Sequence, residues 1–361
     1  MNPPYAVTVT RSGEGVVAPS VAGAARAPSP PDPPHGAAPS AAAREARPTG
    51  ATLITTDASC DLPDGWLAQR GIVVLPLRVR NVRGSRTDGR RGAADGDRRR
   101  EFFSHDLIAA EDAGEALPLS SVGIVDCVEE RLGNADCVIV IVRSSRPDGA
   151  YGNALAAAHE LMLRRGRQQA AGDPANALQV LVVEAATALN GHGVLVSECW
   201  RLLDHGAPAP RVVARLDHLR QQVQTIIAPG DTTYFRRRGE LAVERGAPWF
   251  ALGLGRVFER TPLLLVHRGD RRLLGQLSDH DAAIERAVAC TCERIEHGLA
   301  SPVVCLSFAG DVAAIREWPP ISVLAATCRR HDVELQVAEM SMANALAVGR
   351  GAVALSFATA R

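Results

Sequence analysis

Thr55-Thr-Asp57-Ala-Ser59-Cys-Asp61-Leu-Pro63 sets a strand end, a turn and the start of a helix beside one another within nine residues. The run that enters it, residues 52–56, is rich in β-branched side chains, while Asp57, Ser59 and Asp61 are residues that cap and form turns. Further apolar runs of strand length recur at 72–79, 137–142 and 178–184. Between them, Glu101–Ala110, Ile124–Leu132, Tyr151–Arg164 and Val194–Leu203 carry apolar side chains at helical spacing. Strands alternating with helices predict βα units around a mainly parallel sheet.

The second half has a different texture. Strands are expected at 223–228, 262–267, 271–277, 302–308, 333–338 and 352–358. Two of them are joined by Arg268-Gly-Asp-Arg271, which reads as a hairpin and brings in antiparallel pairing. Ile284, Ala287, Val288, Cys292 and Ile295 share one face of a helix over Asp281–His297. The chain is thus expected to be an α/β protein of two domains. Residues 50–205 carry a mainly parallel sheet and 206–361 a mixed one, with the boundary near Gly206–Pro210. Residues 1–49, dominated by Ala, Pro, Ser and Gly, read as a disordered tail, since they cannot bury enough apolar area to offset ordering entropy. Without a basic start and a compact apolar core, they do not read as a signal peptide.

Composition excludes several chemistries. Basic and acidic residues number 40 each, so no global field selects nucleic acid. Every basic residue is arginine, as a GC-rich genome would produce. Without lysine there is no Schiff-base or pyridoxal-phosphate chemistry and no P-loop lysine. No apolar run is long enough to span a bilayer. The eight cysteines are scattered and form no paired C-x-x-C, so zinc is not expected. They read as small buried hydrophobes whose reduced thiols suit a cytoplasmic protein. His159-Glu160 lacks a second histidine at helical spacing, no G-x-S-x-G elbow is present, and capping explains Asp57 and Asp61 without a metal.

The opening motif resembles that of the DegV family, bacterial proteins of the wider EDD superfamily. Gly71-Ile-Val-Val-Leu-Pro76-Leu77 is similar to the family's second strand. Leu119-Ser120-Ser121-Val122-Gly123 falls where the family carries Thr-Ser-Gln-Pro-Ser, and Ser144-Ser-Arg-Pro-Asp148-Gly149-Ala-Tyr151 falls on Ser-Ser-x-Leu-Ser-Gly-Thr-Tyr. Tyr234-Phe-Arg-Arg-Arg238-Gly239, Thr261-Pro262-Leu-Leu and Gly349-Arg350-Gly351 are similar to later family stretches, the last to His-x-Gly-Pro-Gly. The motifs keep the family's order from residue 51 to about 358.

This resemblance implies a fatty acyl tail in an apolar tunnel, its carboxylate held near the domain interface by hydroxyls from two loops. The implied headgroup residues are Leu119, Ser120, Ser121, Asp148 and Gly149, with Asp57, Ser59, Ser145, Gly349, Arg350 and Gly351 in supporting loops. Three positions depart from the family: Leu119 stands for a threonine, Asp148 for a serine and Ala347 for the late histidine. An ionised Asp148 would face the carboxylate of the ligand. A shared proton, a neutral or cationic head, or the loss of lipid binding would each resolve that conflict. Asp148 also suits the cap of the helix that follows it.

The implied function is non-catalytic binding of one long-chain fatty acid, without cofactor or metal, and its presentation to a fatty acid kinase catalytic subunit. The alternative is a divergent paralogue without lipid binding, acting as a regulatory or interaction protein through its tail and its arginine-rich stretch. A phosphotransferase of the superfamily would need a covalent histidine or a phosphate loop, and neither can be nominated. Nine arginines lie between Arg78 and Arg100, interrupted by Asp88, Asp95 and Asp97 and without an aromatic platform for bases. That stretch reads as a solvated loop rather than a nucleic-acid surface. Gly349-Arg-Gly351-Ala-Val-Ala354 spells a dinucleotide-binding pattern but leaves no room for the helix and strand it needs, so it reads as a turn between strands.

Overall fold

Apolar runs too short for helices pair in parallel as β1 (Thr52–Asp57), β2 (Val73–Leu75), β6 (Cys137–Val142) and β7 (Gln179–Glu184), in the order β2-β1-β6-β7. The computed structural model describes residues 51–89, 93–109, 111–143, 149–168, 177–244 and 260–360; the tail expected at 1–49 lies outside them. Every residue of β6 is buried, as a strand covered on both faces requires. Helices α3 (Ser121–Leu132) and α4 (Ala150–Gln168) cover one face, with Val125, Val128, Ala154 and Leu161 against Val138, Val140 and Val182. Helices α5 (Gly191–Asp204) and α6 (Ala209–Leu219) cover the other through Leu195, Val212 and Leu216 against Ile139, Ile141 and Leu181.

The strand expected over 72–79 divides at Pro76. Proline has no N–H to donate to a ladder, and β2 stops before it. The chain then enters a small antiparallel sheet of β3 (Leu77–Asn81), β4 (Gly84–Asp88) and β5 (Glu115–Leu117), ordered β4-β3-β5. The arginine-rich stretch is therefore not the loop its composition suggests. It forms β3, β4 and helix α2 (Ala93–His105), which starts earlier than the helix expected at 101–110 and ends before it; residues 90–92 lie outside the described ones. Asp95 pairs with Arg98 and Asp97 with Arg100 one turn apart, while Arg86 meets Glu101 at 3.2 Å. These local pairs support a helix whose apolar periodicity is too weak to reveal it.

The second half forms a six-stranded mixed sheet of β8 (Val223–Ala228), β9 (Thr261–His267), β10 (Asp270–Leu277), β11 (Leu299–Phe308), β12 (Glu334–Glu339) and β13 (Val353–Thr359). Its order is β10-β9-β8-β13-β11-β12, antiparallel throughout except between β11 and β12. Arg268 and Gly269 both have positive φ, 53° and 81°, which is the type I′ geometry that joins β9 to β10. Helices α8 (His280–Glu296) and α10 (Pro319–Arg330) cover one face with Ile284, Val288 and Leu324 against Ile226, Leu306 and Leu355. On the other face lie α7 (Thr232–Glu244) and α11 (Met342–Val348), with Phe235 and Leu346 against Ile227 and Ala354. Two short helices, α1 (Asp64–Gln69) and α9 (Val312–Arg316), complete the described α-helices. Gly349–Ala352 joins helix α11 to β13, not one strand to another.

The two sheets share α5. It packs on β1 and β6 of the first sheet and on β8, β11 and β13 of the second, so every residue from Gly191 to Cys199 is buried. Helix α6 also packs on β6 and β7 of the first sheet, and β8 then opens the second. The close approach of α5 depends on Gly193, where an added Cβ would lie 2.4 Å from the Cys60 carbonyl oxygen. Gly193→Ala is expected to cost about 2 kcal/mol through overpacking. Gly65→Ala, with nothing near its Cβ, should be neutral or stabilise α1 by about 0.5 kcal/mol. Chemical denaturation of the two variants checks the contrast.

Candidate functional site

Asp57 closes β1 and caps the single 3-10 turn Ala58–Cys60. Its Oδ1 accepts from the Ser59 amide at 2.9 Å and from the Ser59 hydroxyl, and its Oδ2 accepts from the Arg143 amide at 2.8 Å. Arg143 is the first residue after β6, so Asp57 pins the point from which the chain departs toward Ser145 and Asp148. Those two expected site residues lie outside the described ones.

His192, in the first turn of α5, completes this cluster and was missed by sequence reasoning. It is 1% exposed. Nδ1 lies 3.3 Å from the Ser59 hydroxyl and 3.6 Å from Asp57 Oδ1, while Nε2 lies 3.2 Å from the Ile141 carbonyl and 3.0 Å from the Thr56 hydroxyl. The Ile141 carbonyl only accepts, so Nε2 carries the proton and donates to it. Burial pushes the His192 pKa below the ordinary histidine value, and the Asp57 carboxylate opposes that shift without overcoming it. A lone histidine between Gly191 and Gly193 carries no motif; the flanking glycines, of which Gly193 lets α5 approach the turn, are the only sequence signal.

Ser120 caps α3 by accepting from the Gly123 amide at 3.2 Å, and it is exposed. Leu119, the residue before the cap, accepts at its carbonyl from Asn153 Nδ2 of α4 at 3.0 Å. Its side chain packs over Gly123, where an added Cβ would meet it at 2.8 Å. The first turns of α3 and α4 are thereby drawn together, with Ser121 half-buried and Gly149 exposed at the same rim. Each helix N-terminus carries the positive end of the backbone dipole, an arrangement suited to an anion.

The late loop is built from the second half. Gly349 has φ 87° and sits against the Tyr234 ring, 2.7 Å from where its Cβ would be. The Tyr234 hydroxyl donates to the Leu346 carbonyl at 3.0 Å, and Gly351 donates its N–H to the Ala309 carbonyl at 2.8 Å. Arg350 is exposed and Ala347 half-buried. The structure thus brings Leu119, Ser120, Ser121 and Gly149 together and joins Asp57 to Ser59, whereas Gly349–Gly351 is tied to Tyr234 and Ala309. An open groove of about 580 Å³ lies elsewhere, between α1 and the α10–β12 edge, lined among others by Trp66, Gln69, Arg329 and Leu335. None of the expected headgroup residues lines it. Among the described residues no group of three or more His, Cys, Asp and Glu could hold a metal, and no helix is long and apolar enough to cross a membrane.

The buried imidazole makes a pH signature. Because its folded pKa is below the unfolded one, near 6.5, the unfolded chain takes the proton first; stability is complete above that value and falls on acidification. The loss approaches about 1.4 kcal/mol per pH unit between the unfolded and folded pKa values. His192→Gln, which can still donate to the Ile141 carbonyl, is expected to remove much of this slope in denaturation curves recorded from pH 7 to 5. His280, also held down by burial, should supply what remains.

The model of the DegV family, whose description is an uncharacterised protein, matches residues 51–360. A DegV domain-containing protein of Xanthomonas axonopodis pv. citri is 27% identical over 307 residues, covering 84% of this chain and 96% of its own. Among solved structures, a stearic acid-binding protein from Eubacterium ventriosum superposes with a TM-score of 0.67 at 15% identity, covering 86% of this chain and 98% of that one. The fatty acid kinase B3 protein of Streptococcus pneumoniae, loaded with linoleic acid, gives 0.60 at 13% identity, covering 86% and 99%. The chain belongs to the DegV family.

Proposed function

We propose that this protein binds one long-chain fatty acid and presents it in the cytoplasm to a separate kinase subunit, catalysing no reaction itself. The observation that carries this reading is the pair of helix first turns held together by the Asn153–Leu119 hydrogen bond, with Ser120, Ser121 and Gly149 at their rim. Hydroxyls beside the positive ends of two helix dipoles on one rim suit a carboxylate. Structural relatives named for stearic acid binding and for linoleic acid bound to a fatty acid kinase subunit support the ligand class and the partner. The apolar layer of Tyr234, Phe235, Met342, Leu346 and Val348, beneath the late loop, is the surface we assign to the alkyl tail.

The departures at Leu119, Asp148 and Ala347 favour the rival reading of a paralogue that no longer binds lipid. Its proposed interaction surface is weakened by the structure of the arginine-rich stretch, where Arg86, Arg98, Arg99 and Arg100 all face carboxylates. In the lipid reading, Asp148 and the ligand carboxylate share a proton, because two adjacent carboxylates cannot both stay ionised. Organic extraction of the purified protein followed by mass spectrometry is expected to release about one fatty acid per chain. Asp148→Ser should tighten binding at pH 7.5 by roughly tenfold, the worth of about one charge-assisted hydrogen bond. A protein that takes up no fatty acid when titrated with oleic acid would leave the rival reading in place.

A further inference from the structure

Helix α11 is where the first half reaches the late loop. It has seven residues, too few to hold a position alone, and all but Ala347 are buried. Its first-turn N–H groups have no partner within the helix, and two buried carboxylates of the first half meet this end. The Ser341 amide donates to Asp61 Oδ1 at 2.8 Å and the Met342 amide to Asp88 Oδ2 at 2.9 Å. Asn344 Nδ2 adds bonds of 3.0 Å to Asp61 Oδ2 and of 3.0 Å to the Ser59 carbonyl. Asp88 is held in turn by Arg99, whose Nη1 lies 3.2 Å from its Oδ1. The same guanidinium reaches Asp64 of α1 at 2.8 Å and Glu339 of β12 at 3.2 Å, with its side chain only 4% exposed.

Arg99 therefore joins β4, α1 and β12 through three nitrogens, and its partner Glu339 stands two residues in sequence before Ser341, where the segment that Asp61 and Asp88 grip begins. A planar guanidinium fixes three partners in direction as well as distance, which a lysine ammonium would not. The other end of α11 carries Ala347 and the Gly349–Gly351 loop, about 10 Å away at the rise of a helix. A short rod clamped at one end transmits a small tilt to the other.

We propose that Arg99 and Asp88 are positioning residues for the ligand, setting α11 and the late loop against the first half so that one fatty acid spans both. The role rests on the lipid-binding reading. It assigns a function to the arginine-rich stretch other than contact with a partner: its innermost arginine locks the far wall of the binding site.

A purely structural ion cluster would affect stability without affecting ligand exchange, and Glu198 supplies the comparison. Its buried carboxylate holds Arg201 at 2.9 Å, Arg215 at 3.4 Å and the Ser301 hydroxyl at 2.9 Å, joining α5, α6 and β11 with no bond to α11. The full-length Arg99→Gln, Asp88→Asn and Glu198→Gln variants are compared by stopped-flow dissociation of oleic acid, by thermal melting, and by hydrogen exchange of the 342–349 amides. Arg99→Gln and Asp88→Asn are expected to speed dissociation about tenfold and to accelerate exchange in α11, with the double variant no faster than the worse single one. Glu198→Gln should lower the melting temperature and leave both readouts as they are. Unchanged α11 exchange in the Arg99 and Asp88 variants overturns the positioning role, and so does faster exchange with unaltered dissociation, or equal acceleration by Glu198→Gln. If the wild-type protein binds no oleic acid, the lipid reading fails by itself, and the exchange data alone then decide whether the clamp on α11 exists.

Discussion

A carboxylate withdrawn from water must find donors, and for Asp61 and Asp88 amide donors come from the opposite half of the sequence. Asp61 and Asp88 bind amides of residues 341 and 342, more than 250 positions away. Asp57, by contrast, binds the amide of Arg143 and faces His192 within the first half. Because each of these groups is buried, none can exchange its partner for solvent when the halves shift. The relation between the two sheets is thus specified by hydrogen bonds of defined direction, on top of the apolar packing around α5.

Such clusters contribute less to stability than their short distances suggest. Removing charges from water costs several kcal/mol per ion, and attraction inside the protein mostly offsets that cost. Burial of Arg99 works against its charge, yet Asp88, Asp64 and Glu339 outweigh it and hold the guanidinium more firmly protonated than usual. What the arrangement supplies is discrimination between nearby packings. Apolar contacts between α11 and its neighbours would tolerate a slide of an ångström; two amides aimed at two carboxylates tolerate far less. A binding site whose walls come from different halves requires that kind of constraint.

Legibility in the sequence followed the physics of each element. Strand β6 could be read to the residue, because a strand buried on both faces leaves an unbroken apolar run. The helix α2 could not, since its stability comes from ion pairs and from Arg99, whose carboxylate partners Asp64 and Glu339 lie remote in sequence. Composition there resembled a solvated loop because a buried arginine and an exposed one are written with the same letter. Pro76 was visible, but its effect of moving the chain into another sheet depended on β4 and β5 being available as partners. At the candidate site, Ser120 and Gly149 were nominated through a family resemblance. His192 was not, because its role arises only when α5 lies across the end of β1.

The claim on which the rest turns is that one ligand lies across both halves, its acid group at the α3–α4 rim and its tail toward α11. A crystal structure of the protein with a bromine-labelled long-chain fatty acid tests it directly, since anomalous scattering marks the end of the tail. The carboxylate is expected within hydrogen-bonding distance of Ser120, Ser121 or the Gly149 amide and the bromine among Tyr234, Met342 and Leu346. Bromine in the groove beside Trp66 and Leu335, or a carboxylate remote from both helix ends, would contradict it.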